Sequence, residues 1–98
     1  MEQNNIKINV PVEVAKGTYS NMVIISHSSN EFVLDFLSNL PGGPTPTVAQ
    51  RLILTPDNTK KLLFALQENV AKYEKQFGTI RSLERPAAGS TIAPFGVQ

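Results

Sequence analysis

The single histidine and its polar neighbours are the residues that first suggest chemistry. Ser26 and Ser28 flank His27, and Glu31 and Asp35 follow within eight positions. A serine, a histidine and a carboxylate can form a nucleophilic triad, but the triad also needs an oriented imidazole and an oxyanion site. If a two-residue turn joins two strands here, His27 and Asp35 fall on opposite faces of the hairpin. We therefore predict no catalytic residue and a protein that is not an enzyme.

Polar groups around this region could still line a ligand pocket. The residues that would have to converge there are Tyr19, Asn21, His27 and Glu31. Metal and cofactor sites are not expected, since the chain has one histidine and no cysteine. That composition excludes a cysteine-based zinc site, and the acidic residues lack the spacing of a calcium loop.

Three basic residues are candidate anion contacts: Arg51, Lys60 and Lys61. Lys60 and Lys61 lie near the start of a predicted helix, where a positive charge opposes the helix dipole. That placement indicates an anionic partner or a solvated face. Four strands and a helix in a dimer also occur in single-strand binders of the Whirly and PUR kinds, but nucleic acid requires a basic groove with aromatic platforms. The formal net charge is only +1, so nucleic acid is a weakly supported partner.

One long amphipathic helix is the clearest element in the sequence. Thr55 suits the N-cap, Pro56 the first helical position and Asp57 the positive end of the dipole. Gly78 is placed to end the helix. Apolar residues recur between these ends with a period near 3.6. They form an apolar stripe that consists of Leu62, Leu63, Leu66, Val70, Tyr73 and Phe77.

The part of the chain before the helix reads as β-strand. Residues 6–14 alternate apolar and polar side chains, and residues 19–27, 31–37 and 48–54 give three further strands. Residues 39–47 concentrate Gly and Pro and predict a loop. The predicted fold is therefore α+β: a four-stranded antiparallel meander followed by one long amphipathic helix packed on one sheet face. A flexible C-terminal tail follows.

The domain organisation follows from these elements. Residues 1–78 are predicted to form one domain, and residues 79–98 a flexible or partly docked tail rich in small and polar residues. The first residues lack the basic and apolar regions of a secretory signal, and no run approaches ~20 apolar residues. We predict no membrane association and a cytoplasmic location.

The second face of the predicted sheet is unusually apolar. It would carry Met22, Ile24, Val33 and Leu37, opposite the face expected beneath the helix. Monomeric proteins rarely expose large contiguous apolar patches. We therefore predict a symmetric homodimer that buries this face or a sheet edge. The alternative is that the N-terminal strand or the tail folds over the patch.

Several runs resemble a small bacterial family of proteins of unknown function, DUF3467. They are residues 17–21 (GTYSN), 26–28 (SHS), 31–36 (EFVLDF) and the helix with its Thr-Pro start and Phe-Gly end. The resemblance covers residues 6–80. It implies a stand-alone bacterial cytoplasmic protein without an established activity, and it supplies no catalytic residues.

These observations predict a small non-enzymatic protein that acts as a homodimeric interaction or accessory module. Its predicted partner is a second copy of the chain, and another protein is the alternative partner. The alternative function is single-stranded nucleic-acid binding by a sheet with a helix.

Overall fold

The computed structural model describes residues 6–81 and the backbone of residues 92–94. The elements, in chain order, are α1 (Val12–Ala15), β1 (Met22–His27), β2 (Phe32–Leu37), β3 (Val48–Leu54), α2 (Pro56–Phe77) and β4 (Ile92–Pro94). All strand pairs are antiparallel, and the order across the sheet is β3-β2-β1-β4. The fold class is α+β, as the sequence predicts.

Three strands, rather than the predicted four, precede the long helix. Residues 6–10 pair with no strand in the described part of the chain, and Val12–Ala15 form a short helical turn. The turn begins at Pro11, whose carbonyl accepts the N–H groups of Val14 and Ala15 at 2.9 Å. Alternation alone predicted a strand here, but a strand also needs a neighbour to pair with. The short β4 occupies the edge beside β1.

The β1–β2 hairpin has the register that a two-residue turn imposes. The Ser28 N–H donates to the Glu31 carbonyl at 2.9 Å, which leaves Ser29 and Asn30 as the turn. His27 lies opposite Phe32, and the pairing continues to Met22 opposite Leu37. The sequence places His27 and Asp35 on opposite sheet faces only if the hairpin has this register.

Residues 38–47 join β2 to β3 and include the predicted loop of residues 39–47. A register shift between Phe36 and Leu37 places Leu37 opposite Val48 and Phe36 opposite Gln50, so Ala49 is the extra residue of a bulge. Along most of its length β3 is exposed.

Within the described chain the buried apolar core is small. It consists of Val23, Leu34 and Leu37. Val23 and Leu34 lie on one sheet face, and Leu37 lies on the other. Neither face of the sheet therefore has a thick core of its own in a single copy.

Helix α2 has the predicted bounds and the predicted caps. Thr55 Oγ1 accepts the Asn58 N–H at 3.1 Å, and Pro56 is the first helical residue. At the other end Gly78 has a φ of 101° and donates its N–H to the Glu74 carbonyl. Gly78 thus ends the helix with a positive φ, although its ψ of 166° makes it extended rather than left-handed helical.

The prediction that α2 covers one face of the sheet is wrong for a single copy. No α2 residue is buried by the described residues, and the helix makes its main contacts with β3. Amphipathic periodicity predicts that one side of a helix is covered, but it does not identify the surface that covers it.

The predicted tail falls mostly outside the described residues. Residues 82–91 and 95–98 are not described, so the prediction of a flexible or partly docked tail stays a prediction for them. The Ile92–Pro94 backbone pairs with Met22, Val23 and Ile24 of β1.

Candidate interaction surface

Helix α2 carries more exposed large apolar side chains than any other described element, and most of them belong to its predicted apolar stripe, the α2 stripe. Leu63, Leu66, Val70, Tyr73 and Phe77 are between 43% and 66% exposed. Leu62, nearest to β3 in the chain, is half-buried. The Tyr73 and Phe77 rings contact each other at a centroid distance of 5.0 Å and an angle of 45°. A helix of 22 residues is about 33 Å long at ~1.5 Å per residue. The stripe therefore presents a long, narrow apolar surface.

Helix α2 begins almost directly after the sheet. Only Thr55 separates β3 from α2. Its carbonyl accepts the Thr59 N–H at 2.9 Å and the Thr59 hydroxyl at 2.8 Å, while its own hydroxyl caps Asn58. These hydrogen bonds lie within the first turn of α2 and stabilise its start one residue after β3.

The residues predicted to form the dimer face lie together but are largely covered. The register puts Met22, Ile24, Val33 and Leu37 on the same side of the sheet, as predicted. Leu37 is only 4% exposed, and the other three are half-buried. These four side chains are less exposed than the five exposed members of the α2 stripe, and their role as an interface stays a prediction.

An ion pair lies on that same face. The Arg51 Nε–H donates to Asp35 Oδ1 at 2.7 Å, and Nη2 donates to Oδ2 at 2.8 Å. The two residues are cross-strand partners, and Asp35 is only 8% exposed. The hydrogen bonds from Arg51 hold the pKa of Asp35 below its usual value, although burial opposes that shift. The same hydrogen bonds raise the pKa of Arg51. Arg51, a predicted anion contact, is thus already bound to a carboxylate.

The two other predicted anion contacts differ from each other. The Lys61 Nζ lies 3.2 Å from Asp57 Oδ2, one helical turn earlier. Lys60 is exposed and forms no ion pair within residues 6–81. Among the described residues, Lys60 is therefore the one of the three predicted contacts that has no acidic partner.

The Tyr-Ser-Asn run at residues 19–21 joins the start of β1 to the end of β2. Asn21 Nδ2 donates to the Asn39 carbonyl at 3.1 Å, and the Asn39 N–H donates to Asn21 Oδ1 at 2.8 Å. The Ser20 hydroxyl donates to the Leu37 carbonyl at 2.9 Å, and the Ser38 hydroxyl to the Tyr19 carbonyl at 3.1 Å. These polar groups stabilise the hairpin, which gives the run a structural role.

The four residues of the predicted polar or ligand cluster are not brought together. Tyr19 and Asn21 precede β1, whereas His27 and Glu31 lie at its other end. Six residues of strand span about 20 Å at ~3.3 Å per residue. His27 stacks on Phe32 with ring centroids 5.2 Å apart. The register places Asp35 on the other sheet face, so His27 and Asp35 point apart.

Two further kinds of feature are absent from the described part of the chain. No group of three or more acidic or histidine side chains there is arranged to hold a metal ion. No helix there has the length and apolar composition needed to cross a membrane.

Comparison with known proteins identifies a family but no activity. The family model described as protein of unknown function (DUF3467) matches residues 1–82, which include every described element except β4. No curated protein and no solved structure matches the chain. The match extends over more than half of the 98 residues and confirms the resemblance carried by the Tyr-Ser-Asn and Glu-Phe-Val-Leu-Asp-Phe runs. The chain therefore belongs to the DUF3467 family of proteins of unknown function.

Proposed function

We propose that this protein is a small, non-enzymatic, homodimeric interaction module in which two copies associate through their α2 stripes. The observation that carries the proposal is the exposure of the stripe along nearly the whole helix. A two-fold dimer buries the same patch on both subunits, so each stripe would supply the cover that the other lacks.

The free energy gained by burying the stripe is comparable to the free-energy cost of association. Fully burying one such apolar side chain stabilises by about 1.5–3 kcal/mol. Five stripe members are roughly half exposed, which leaves about 8–15 kcal/mol for two copies. Association costs ~4–15 kcal/mol in lost freedom, so burial of the stripe can offset that cost.

A second copy fits the stripe better than the chain's own sheet does. Within one copy α2 contacts the sheet mainly at β3, and these contacts leave the α2 stripe exposed. A single copy also buries only three apolar side chains within the described residues. A domain of about this size gains stability from additional burial in an oligomer.

The molar mass in solution tests the proposal. Size-exclusion chromatography with light scattering, run as a dilution series from high micromolar protein, should give about twice the 10.7 kDa of one chain. The mass should fall towards that of one chain on dilution. A mass of 10.7 kDa at the highest concentration would refute the dimer.

We also propose that the protein is located in the cytoplasm, and cell fractionation tests this location.

Single-stranded nucleic-acid binding ranks second. Two of the three candidate anion contacts, Arg51 and Lys61, are engaged by Asp35 and Asp57. These ion pairs reduce the positive charge available to a phosphate backbone, the main source of affinity for nucleic acid. Titration with labelled single-stranded oligonucleotides at low salt tests this alternative. Binding that weakens steeply as salt is added would favour it over the interaction module.

A further inference from the structure

We infer that the two α2 helices pair antiparallel, with Lys60 of each copy beside the partner's Glu74. The inference rests on the proposed homodimer and adds its geometry. Leu63, Leu66, Val70, Tyr73 and Phe77 are separated by three, four, three and four residues. That spacing is the a and d pattern of a two-helix coiled coil, in which alternate steps of three and four keep one seam facing the partner.

The charges beside this seam select the orientation. With Leu63 at position a, both Lys60 and Glu74 fall at position e. In an antiparallel pair, e positions face e positions of the other helix, so two symmetric Lys60–Glu74 pairs form. In a parallel pair, g faces e, which places Asn69 near the partner's Glu74 and forms no pair of opposite charges. Flanking charges of this kind set partner choice and orientation in coiled coils.

One register satisfies both the seam and the charges. Leu63 then lies level with the partner's Tyr73, and Leu66 with the partner's Val70. Phe77, which has the largest exposed fraction of the stripe residues, lies level with the partner's Thr59. Each layer sets a larger side chain against a smaller one, which favours close packing.

Within one copy, neither charge is placed where the helix dipole favours it. Lys60 lies near the positive end of α2, and Glu74 lies in the last turn near the negative end. Glu74 Oε2 accepts the Ile80 N–H at 2.9 Å, which leaves Oε1 able to accept another donor. In an antiparallel pair, Lys60 lies beside the negative end of the other helix and beside its carboxylate. Glu74 likewise lies beside the positive end of the partner helix, so the antiparallel pair places both charges where the partner's dipole attracts them.

Disulfide capture of the full chain tests the orientation, because the natural sequence has no cysteine. Lys60→Cys and Glu74→Cys are prepared separately, one with a mass tag, then mixed and oxidised. The antiparallel register predicts a cross-linked heterodimer in the mixture in large excess over the cross-linked homodimer of either variant alone. A mixture of Glu68→Cys and Lys72→Cys, whose positions lie off the seam, is the matched control and should cross-link far less.

Charge reversal provides a second readout that does not depend on cysteine chemistry. Lys60→Glu and Glu74→Lys should each weaken dimerisation by roughly tenfold, because each change affects two symmetric ion pairs. The double variant should recover most of that loss, whereas Lys72→Glu should leave the dimerisation constant unchanged.

The outcomes separate the orientation from the dimer itself. A wild-type dimer by light scattering, without preferential cross-linking of Lys60→Cys to Glu74→Cys, would overturn the antiparallel register and leave the homodimer intact. A wild-type monomer would overturn both. A heterodimer cross-link together with recovery in the double charge variant would support the register.

Discussion

Replacing Leu66 by alanine should weaken the dimer without weakening the helix that carries it. Leu66 is 54% exposed in one copy, so about half of the ~1.5–3 kcal/mol from burying a leucine remains for the interface. Both copies lose it, which gives about 1.5–3 kcal/mol per dimer. At ~1.4 kcal/mol per tenfold change, the dimerisation constant should weaken roughly 10- to 150-fold. Alanine is the best helix former, so α2 itself should keep its helicity.

Phe64 supplies a matched control on the same helix. Its exposed fraction is 55%, almost equal to that of Leu66, but its position lies outside the stripe. Phe64→Ala removes a larger apolar side chain from the side of α2 that the proposed dimer leaves in solvent. Its dimerisation constant should therefore match that of the natural protein.

Sedimentation equilibrium at several loading concentrations measures both constants, and far-UV circular dichroism checks the helix content. Equal weakening by Leu66→Ala and Phe64→Ala would refute the assignment of the stripe as the interface. An unchanged constant for Leu66→Ala, with the dimer intact, would refute it as well.

Three further predictions concern stability, each measured by thermal unfolding at fixed protein concentration because a dimer unfolds with a concentration-dependent Tm. The pKa of Asp35 is lowered in the folded chain. The Asp35–Arg51 ion pair should therefore stabilise the fold fully at pH values above the unfolded carboxyl pKa of about 3.9, and this stabilisation should be lost as the pH falls through the lower folded pKa. Asp35→Asn should flatten that acid-side decline, and an unchanged pH profile would contradict the ion pair. Asn21→Ala removes two hydrogen bonds to the Asn39 backbone and should cost about 1–2 kcal/mol; no change in Tm would show that water replaces them fully. Thr55→Ala removes the cap of α2 and should cost about 1 kcal/mol, whereas Thr55→Ser should retain most of the stability; equal losses in the two variants would argue against the cap.

The sequence correctly predicted the ends of α2 and the β1–β2 turn, because each is determined by residues that are close together in the chain. Thr55, Pro56 and Gly78 define the ends of α2 because caps act within one turn of the backbone. The Ser29-Asn30 turn determined the β1–β2 register because a short link leaves only one way to align two strands.

The two fold predictions that failed both depended on a distant surface. Residues 6–14 alternate as a strand does, but Pro11 starts a short helical turn and no described strand pairs with the segment. The periodicity of α2 identifies its apolar stripe, yet within one copy the helix contacts the sheet mainly at β3 and the stripe stays exposed. A periodic pattern identifies the apolar face of its own helix or strand, but it does not identify the surface that covers that face.

The polar contacts of the hairpin were also missed, for two different reasons. Asp35 and Arg51 become visible as a pair once the β2–β3 register is known, since opposite charges on neighbouring strands stabilise each other. The Asn21–Asn39 hydrogen bonds involve the backbone of a loop residue, so no residue-type pattern could have indicated them.

The most direct test of the stripe as a homodimer face is an isotope-filtered nuclear Overhauser experiment on a mixture of labelled and unlabelled chains. The proposal predicts intermolecular contacts between the methyl groups of Leu63 or Leu66 and the Tyr73 ring or Val70 methyl groups of the other copy. Intermolecular contacts confined to Met22, Ile24, Val33 and Leu37 in a confirmed dimer would contradict it and would return the interface to the sheet.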